Sequence, residues 1–337
     1  MTNGTGITMR DALNGALRDA LAADPRVLVF GEDVGPLGGI FGITKGLQAE
    51  FGDANVFDTP SAEAAIAGSC VGLAMAGWRP VAEMQFDGFA YPGLDQVIGH
   101  VAKFRNRTRG RISMPVVIRI PYGGGFHGKE HHSESPETYY AHTAGLKVVT
   151  PSNAADAYRL LRQAIDDPDP VIYLEPKSRY GIADGENTPP LSVEGPPPWK
   201  AVEVLPGADC TIVTYGAMVA KALKAAGALA AGPAHIDAGV LDLRCLAPID
   251  TRTLVDTVRR SGRAVVVHEA SMSLGIGAEV AARIAEHAFD SLKAPILRVA
   301  PPDTPYPPAS LEDQWLPDAA AISDAVHRTM AASSPGH

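Results

Sequence analysis

Short apolar runs alternate with longer stretches of helical period along most of the chain. Thr8, followed three residues later by Asp11, predicts a capped helix to about Ala23, with Leu13, Leu17 and Leu21 on one face and Pro25 closing it. Residues 27–30 read as a buried strand with Gly31, Glu32 and Asp33 at its C-terminal end, and residues 56–58 as the next strand. Ser61 is placed to cap the helix that follows, and Glu63 falls in its first turn. That helix, AEAAIAGSCVGLAMAG, is apolar nearly all round and built from small residues, so burial on every side is expected. Strands over 81–85, 115–120, 147–149 and 171–175 alternate with helices over 95–107 and 155–165, the second capped by Ser152.

This alternation predicts an α/β chain of two doubly wound domains. Residues 1–183 form the first. Residues 184–203 form a proline-rich linker: the run DGENTPPLSVEGPPPW carries five prolines without period and reads as a stiff, extended spacer. Residues 204–337 form a smaller domain, with strands over 210–215, 239–243, 264–268 and 296–299 and helices over 219–229, 250–259 and 278–287. Gly275 and Gly277 suggest a phosphate loop, but Val280 stands where the third glycine would be.

Composition narrows the class. The chain has 337 residues and a formal net charge of −9, with no Lys/Arg block, which argues against nucleic acid or a membrane surface as partner. Cys70, Cys210 and Cys245 are far apart and form no CxxC pair, so each reads as a small buried apolar residue. The N-terminus lacks a signal-peptide pattern, and the longest apolar stretch, 64–78, is too short to span a bilayer. The expectation is a soluble, cytoplasmic protein.

The candidate chemistry centres on PYGGGFHGKEHHSESP at 121–136, where a buried strand runs into Gly123, Gly124, Gly125 and Gly128 among His127, His131 and His132. Glycines after a strand let the backbone turn and let a ligand approach, and histidines bring proton-transfer groups. A solvated loop rich in histidine is the plainer alternative. Glu63 has two readings: complementing the helix dipole, or moving a proton in a low-dielectric site. Phe89, after a strand end, stacks on a flat ring or belongs to the core. The turn Asp166, Asp167, Pro168, Asp169 offers oxygens to a hard cation, or is a solvated turn. His127 and His131, four apart, suggest a metal-dependent hydrolase, but HExxH is absent and the glycines discourage the helix such a pair needs.

Several motifs together resemble the β subunit of the E1 component of 2-oxo acid dehydrogenase complexes, thiamine diphosphate enzymes of the transketolase type. They are GEDVG at 31–35, DTPSAE at 58–63, EMQFDGFAYPGLDQ at 83–96, GGGFHGKEHHSESPE at 123–137, GLKVVTPS at 145–152, LDLRCLAPID at 241–250 and VHEA at 267–270. The resemblance runs from about residue 9 to residue 326. It implies a pyrimidine-binding first domain and a second domain for assembly and docking to the E2 core. Glu63 then matches the glutamate that hydrogen-bonds the aminopyrimidine ring and moves a proton there. Phe89 matches the aromatic that packs on that ring, and Gln85 lies close to it. His132 matches the histidine that meets the incoming lipoyl group, as proton donor in its reductive acylation. Ala164, Asp167 and Asp169 match a potassium site; Asp169 stands where relatives often carry Asn. The GDG motif and the later asparagine that hold Mg²⁺ and diphosphate are missing; Asp184, Gly185, Glu186 and Asn187 look similar but sit in the proline linker. The resemblance therefore implies a separate α subunit that binds Mg²⁺ and diphosphate, in an α2β2 heterotetramer. HHSESPE with YYAHTAGLKVV, and VHEA, resemble enzymes of branched-chain 2-oxo acids; the GGG loop also occurs in bacterial pyruvate enzymes, which keeps pyruvate as the alternative.

Overall fold

A computed structural model describes residues 6–183 and 191–332, so Asp184, Gly185, Glu186 and Asn187 lie outside the described residues. Six strands of the N-terminal half are β1 (Val27–Gly31), β2 (Val56–Asp58), β3 (Arg79–Glu83), β4 (Val117–Tyr122), β5 (Lys147–Val149) and β6 (Val171–Pro176). They lie parallel in the order β5-β6-β4-β3-β1-β2. The C-terminal half contributes β7 (Val202–Leu205), β8 (Cys210–Thr214), β9 (Ala238–Asp242), β10 (Cys245–Ala247), β11 (Ala264–Val267) and β12 (Leu297–Val299). Five of these form a second sheet in the order β12-β11-β8-β9-β7, parallel except at the edge strand β7. The sixth, β10, leaves its own half and pairs antiparallel with β5 at the edge of the first sheet.

Both faces of the first sheet are covered, which is why its strands are apolar throughout. With period two, Val27 and Val29 pack towards Leu13, Leu17 and Leu161, and Leu28 and Phe30 towards Ile66, Ala67 and Cys70. The core on that second side continues without a break into the C-terminal half through Leu241, Leu246, Val266 and Ile284. All three cysteines are buried and free. Among the described residues no helix is long and apolar enough to cross a membrane.

Four expectations need correction. Thr8 caps the helix Met9–Ala23 as predicted, accepting from Asp11 N at 3.1 Å, but Ser61 and Ser152 cap nothing. Each serine gives its proton to a carboxylate instead, of Glu32 and Asp242 respectively. A charge-assisted bond is stronger than a neutral cap. Asn153 therefore caps the helix Ala154–Asp166, and Glu63–Met75 starts at Ala62 with no side-chain cap. Second, Glu63–Met75 is not buried all round: Ile66, Ala67, Cys70 and Ala74 face the core, whereas Ala64, Ala65, Gly72 and Met75 are exposed in the single chain. Third, the helix expected over 95–107 is broken by a π-helical turn, Val97–Val101. Fourth, the described part of the linker is no free spacer. It lies on the first half, where Arg159 Nε donates to the Glu194 carbonyl at 2.8 Å and the Lys147 ammonium sits 5.5 Å from the centre of the Trp199 ring.

Candidate functional site

Parallel strands place all their C-terminal ends on one edge, where ligands of such sheets bind. That edge gathers Glu32 and Asp33 after β1, Glu63 after β2, the segment from Gln85 to Phe89 after β3, the glycine–histidine loop after β4 and Lys177 after β6. Glu63 opens the helix Glu63–Met75; it is half-buried, and its carboxylate has no hydrogen-bond partner among the described residues. The 3₁₀ turn Gly88–Gly93, which carries Phe89, lies directly against this helix start: a Cβ on Gly93 would stand 3.0 Å from the Glu63 carbonyl oxygen. Gln85 is held by its Nε2, which donates to Asp33 Oδ2 at 2.8 Å.

His132 ends the 3₁₀ turn Glu130–His132 and stacks on Phe86, with ring centroids 3.9 Å apart and planes at 23°. Phe89 meets His132 edge-on at 5.1 Å and 88°, and Phe86 edge-on at 5.7 Å. Burial lowers the proton affinity of His132, and the neighbouring His131 and Lys177 lower it further. The imidazole is thus biased towards its neutral form. Beneath this layer, Lys177 Nζ donates to Asp87 Oδ1 at 2.5 Å, and Asp87 Oδ2 accepts from Glu134 N at 2.8 Å.

The C-terminal half secures the glycine loop from behind. Glu269, of VHEA, accepts from Gly124 N at 3.2 Å, and Glu312 accepts from His127 N at 2.9 Å and from the Tyr306 hydroxyl at 2.6 Å. Gly124 is obligatory, since a Cβ there would lie 1.9 Å from the Tyr306 oxygen. His127 points away from His131: its Nδ1 donates to the Ala309 carbonyl at 3.2 Å, and that bond, with Glu312 and Asp313, raises its proton affinity. His127 and His131 thus have different partners, with no helix between them to align the two rings; among the described residues, the group of three possible ligands that includes His127 is completed by Glu312 and Asp313, not by His131.

Two of the three acids of the turn, Asp167 and Asp169, are paired with cations from neighbouring elements. Lys147 Nζ donates to both oxygens of Asp167, at 2.6 and 2.7 Å, and to Asp169 at 3.1 Å; Arg105 also pairs with Asp169. Ala164 offers its carbonyl oxygen to Asp167 N at 3.3 Å. With the Asp167 and Asp169 carboxylates matched by cations, a metal ion at Ala164, Asp167 and Asp169 would draw on main-chain oxygens.

Sequence reasoning singled out Glu63, Gln85, Phe89 and His132, and the fold brings all four to one edge. It missed Phe86, Asp87, Lys177 and Glu312. The runs FDGF and LEPKS did place a charge inside an apolar context, which is the signal that was available.

Fold and site define a transketolase-type two-domain chain. The family profile "Transketolase, pyrimidine binding domain" matches residues 5–182, and "Transketolase, C-terminal domain" matches residues 200–322. A solved structure titled "Split gene transketolase, inactive beta4 tetramer" superposes with a TM-score of 0.76 over 98% of this chain and 100% of that one; at 24% identity it speaks for the fold alone. The β subunit of 3-methyl-2-oxobutanoate dehydrogenase of Mycobacterium tuberculosis is 53% identical over 324 residues, 96% of this chain and 92% of the relative. The E1 component subunit β of pyruvate dehydrogenase of Leifsonia xyli is 51% identical over 326 residues, 96% and 95%. The chain belongs to the β subunits of the E1 components of 2-oxo acid dehydrogenases.

Proposed function

We propose that this chain is the β half of an E1 that oxidatively decarboxylates a 2-oxo acid with thiamine diphosphate and passes the acyl group to a lipoyl group on an E2 core. The observation that carries the reading is Glu63: an unpartnered, half-buried carboxylate at the binding edge of the sheet, beside the turn that carries Phe89. An acid and an aromatic face so placed fit an aminopyrimidine. Thiamine diphosphate, when bound, supplies the nucleophilic carbon and the electron sink. Glu63 holds and moves a proton at the pyrimidine nitrogen, Phe89 packs on that ring, and Gln85 is kept close to it by Asp33. His132, biased neutral by its surroundings, exchanges a proton at the lipoyl sulfur.

No GDG motif holds Mg²⁺ in the sequence, so a separate α subunit grips Mg²⁺ and the diphosphate; the assembly is α2β2, and its E2 partner brings the lipoyl group. Potassium at Ala164, Asp167 and Asp169, if held, is held by main-chain oxygens, since the carboxylates are already paired. Free, buried cysteines agree with a reducing, cytoplasmic setting. A branched-chain 2-oxo acid is the preferred substrate, after HHSESPE and the relative at 53% identity; pyruvate is the second reading, favoured by the relative at 51%.

Reconstitution with a cognate α chain tests this. Glu63→Gln is expected to abolish decarboxylation while the tetramer still forms by size-exclusion chromatography. Turnover of 3-methyl-2-oxobutanoate should exceed that of pyruvate in the unmodified complex. Decarboxylation retained in Glu63→Gln overturns the reading.

A further inference from the structure

We propose that the buried Asp87–Lys177 ion pair is a positioning device for the turn from His131 to Glu134, and through it for the His132 imidazole. The second clause rests on the reading of His132 given above.

Asp87 follows β3 and Lys177 follows β6, and β4 lies between those strands. The pair therefore spans the end of β4, where the glycine–histidine loop departs. Asp87 is fully buried and Lys177 is 5% exposed. Each oxygen of Asp87 has one task. Oδ1 takes the Lys177 ammonium at 2.5 Å, and Oδ2 takes the Glu134 amide at 2.8 Å in a charge-assisted bond. Next in sequence, Gly88 lies so close to the turn that a Cβ would stand 2.2 Å from the His131 carbonyl oxygen. Asp87 thus bonds one end of the turn, at the amide of Glu134, and Gly88 packs closely against the other, at the carbonyl of His131. Between them sits His132, stacked on Phe86, the residue before Asp87. Lys177 Nζ lies 6.0 Å from the Phe86 ring centre and 5.3 Å from that of Phe126, so one cation borders both rings beside the loop.

A buried ion pair is weak as a source of stability, because desolvation offsets the attraction; burial pulls Asp87 up and Lys177 down, each towards its neutral form. Its directional bonds, by contrast, hold a short turn to a fraction of an ångström. Reacting groups are sensitive to that scale.

The test uses the reconstituted α/β complex with Lys177→Met, Asp87→Asn and the double variant, which leaves no lone buried charge and so guards against misfolding of the single ones. Two quantities are read. One is amide hydrogen exchange of a peptide covering residues 129–134. The other is the ratio of lipoyl acylation to decarboxylation measured with an artificial oxidant. Exchange is expected to quicken, and the ratio to fall, about tenfold or more. Unchanged exchange in folded variants overturns the proposal and leaves the pair a structural one, and so do two half-reactions that fall in equal proportion where His132→Ala does lower the ratio. His132→Ala separates the two readings. If it leaves the ratio unchanged, the role of His132 falls, while the exchange result still decides whether the pair positions the turn.

Discussion

Arg119 is the largest side chain enclosed within the first sheet. It is fully buried and reaches across three strands: Nε and NH2 donate to Glu175 at 2.7 and 3.0 Å, and NH1 donates to Glu83 at 2.5 Å. The Tyr180 hydroxyl completes Glu175 at 2.6 Å. Burial opposes the guanidinium charge, but Glu175 and Glu83 outweigh it and hold its proton more firmly than usual. Arg119→Met would leave two buried carboxylates facing each other, and a loss of about 3–5 kcal/mol is expected. A thermal melt of the variant matching that of the parent would refute this. Such residues were hard to read in the sequence. VIRIPY reads correctly as a buried strand, but an arginine inside it gives no hint of partners 36 and 56 positions away. Asp87 and Lys177, 90 apart, have the same difficulty. His132 and Phe89 stood out from their places after strand ends, each with a plainer alternative; the particular roles expected of them, and Gln85 altogether, came only from motifs that resemble a family, since no periodicity marks them. Phe86 escaped because stacking is a matter of orientation, which a one-dimensional pattern does not contain.

Among elements, the regular strands and helices were legible from apolar runs and caps, since local preference and burial agree there. Two features were not. The three residues of β10 carry too little pattern to announce a strand, and their pairing with β5 joins segments almost a hundred residues apart. The helix Glu63–Met75 is apolar all round, yet one side is open in the single chain; its composition suits the assembly proposed above better than the isolated subunit. Between the halves runs a polar seam. The Tyr215 hydroxyl donates to Glu137 at 2.7 Å, the Ser152 hydroxyl donates to Asp242 at 2.6 Å, and Arg244 donates to Asp156 at 2.9 Å. Burial pushes Glu137 and Asp242 each up to about 7, from ordinary values of 4.5 and 3.8. Carboxyls raised on folding stabilise fully at low pH, and that contribution is lost as pH rises through about 7. Nearby His268, with both ring nitrogens unpartnered and its value lowered by burial to about 4, acts oppositely; its contribution is complete above 6.5 and lost as pH falls towards 4. Of these three groups only the carboxyls act between about pH 6.5 and 8, and His127, raised above its ordinary 6.5, adds to the same direction, so the melting temperature is expected to fall across that interval, and Glu137→Gln to flatten the slope. A melting temperature that rises over the same interval would count against the seam as described.

For the molecule as a whole, the halves that look separate in sequence share one apolar core. Residues of the first sheet such as Ile118 and Leu174 belong to the same cluster as Leu246, Val266 and Ile284. Cooperative unfolding follows from shared burial. Calorimetry of the isolated chain should therefore show a single transition, and two resolved peaks would contradict it. The loan of β10 carries a further consequence. Its three residues are the cover over an otherwise bare outer strand, and bare outer strands invite pairing with strangers. Recombination between relatives at the proline-rich junction would separate that cover from the surface it was shaped for. Lineages that shuffle these halves as modules would have to carry residues 245–247 and 147–149 together, as one inherited unit.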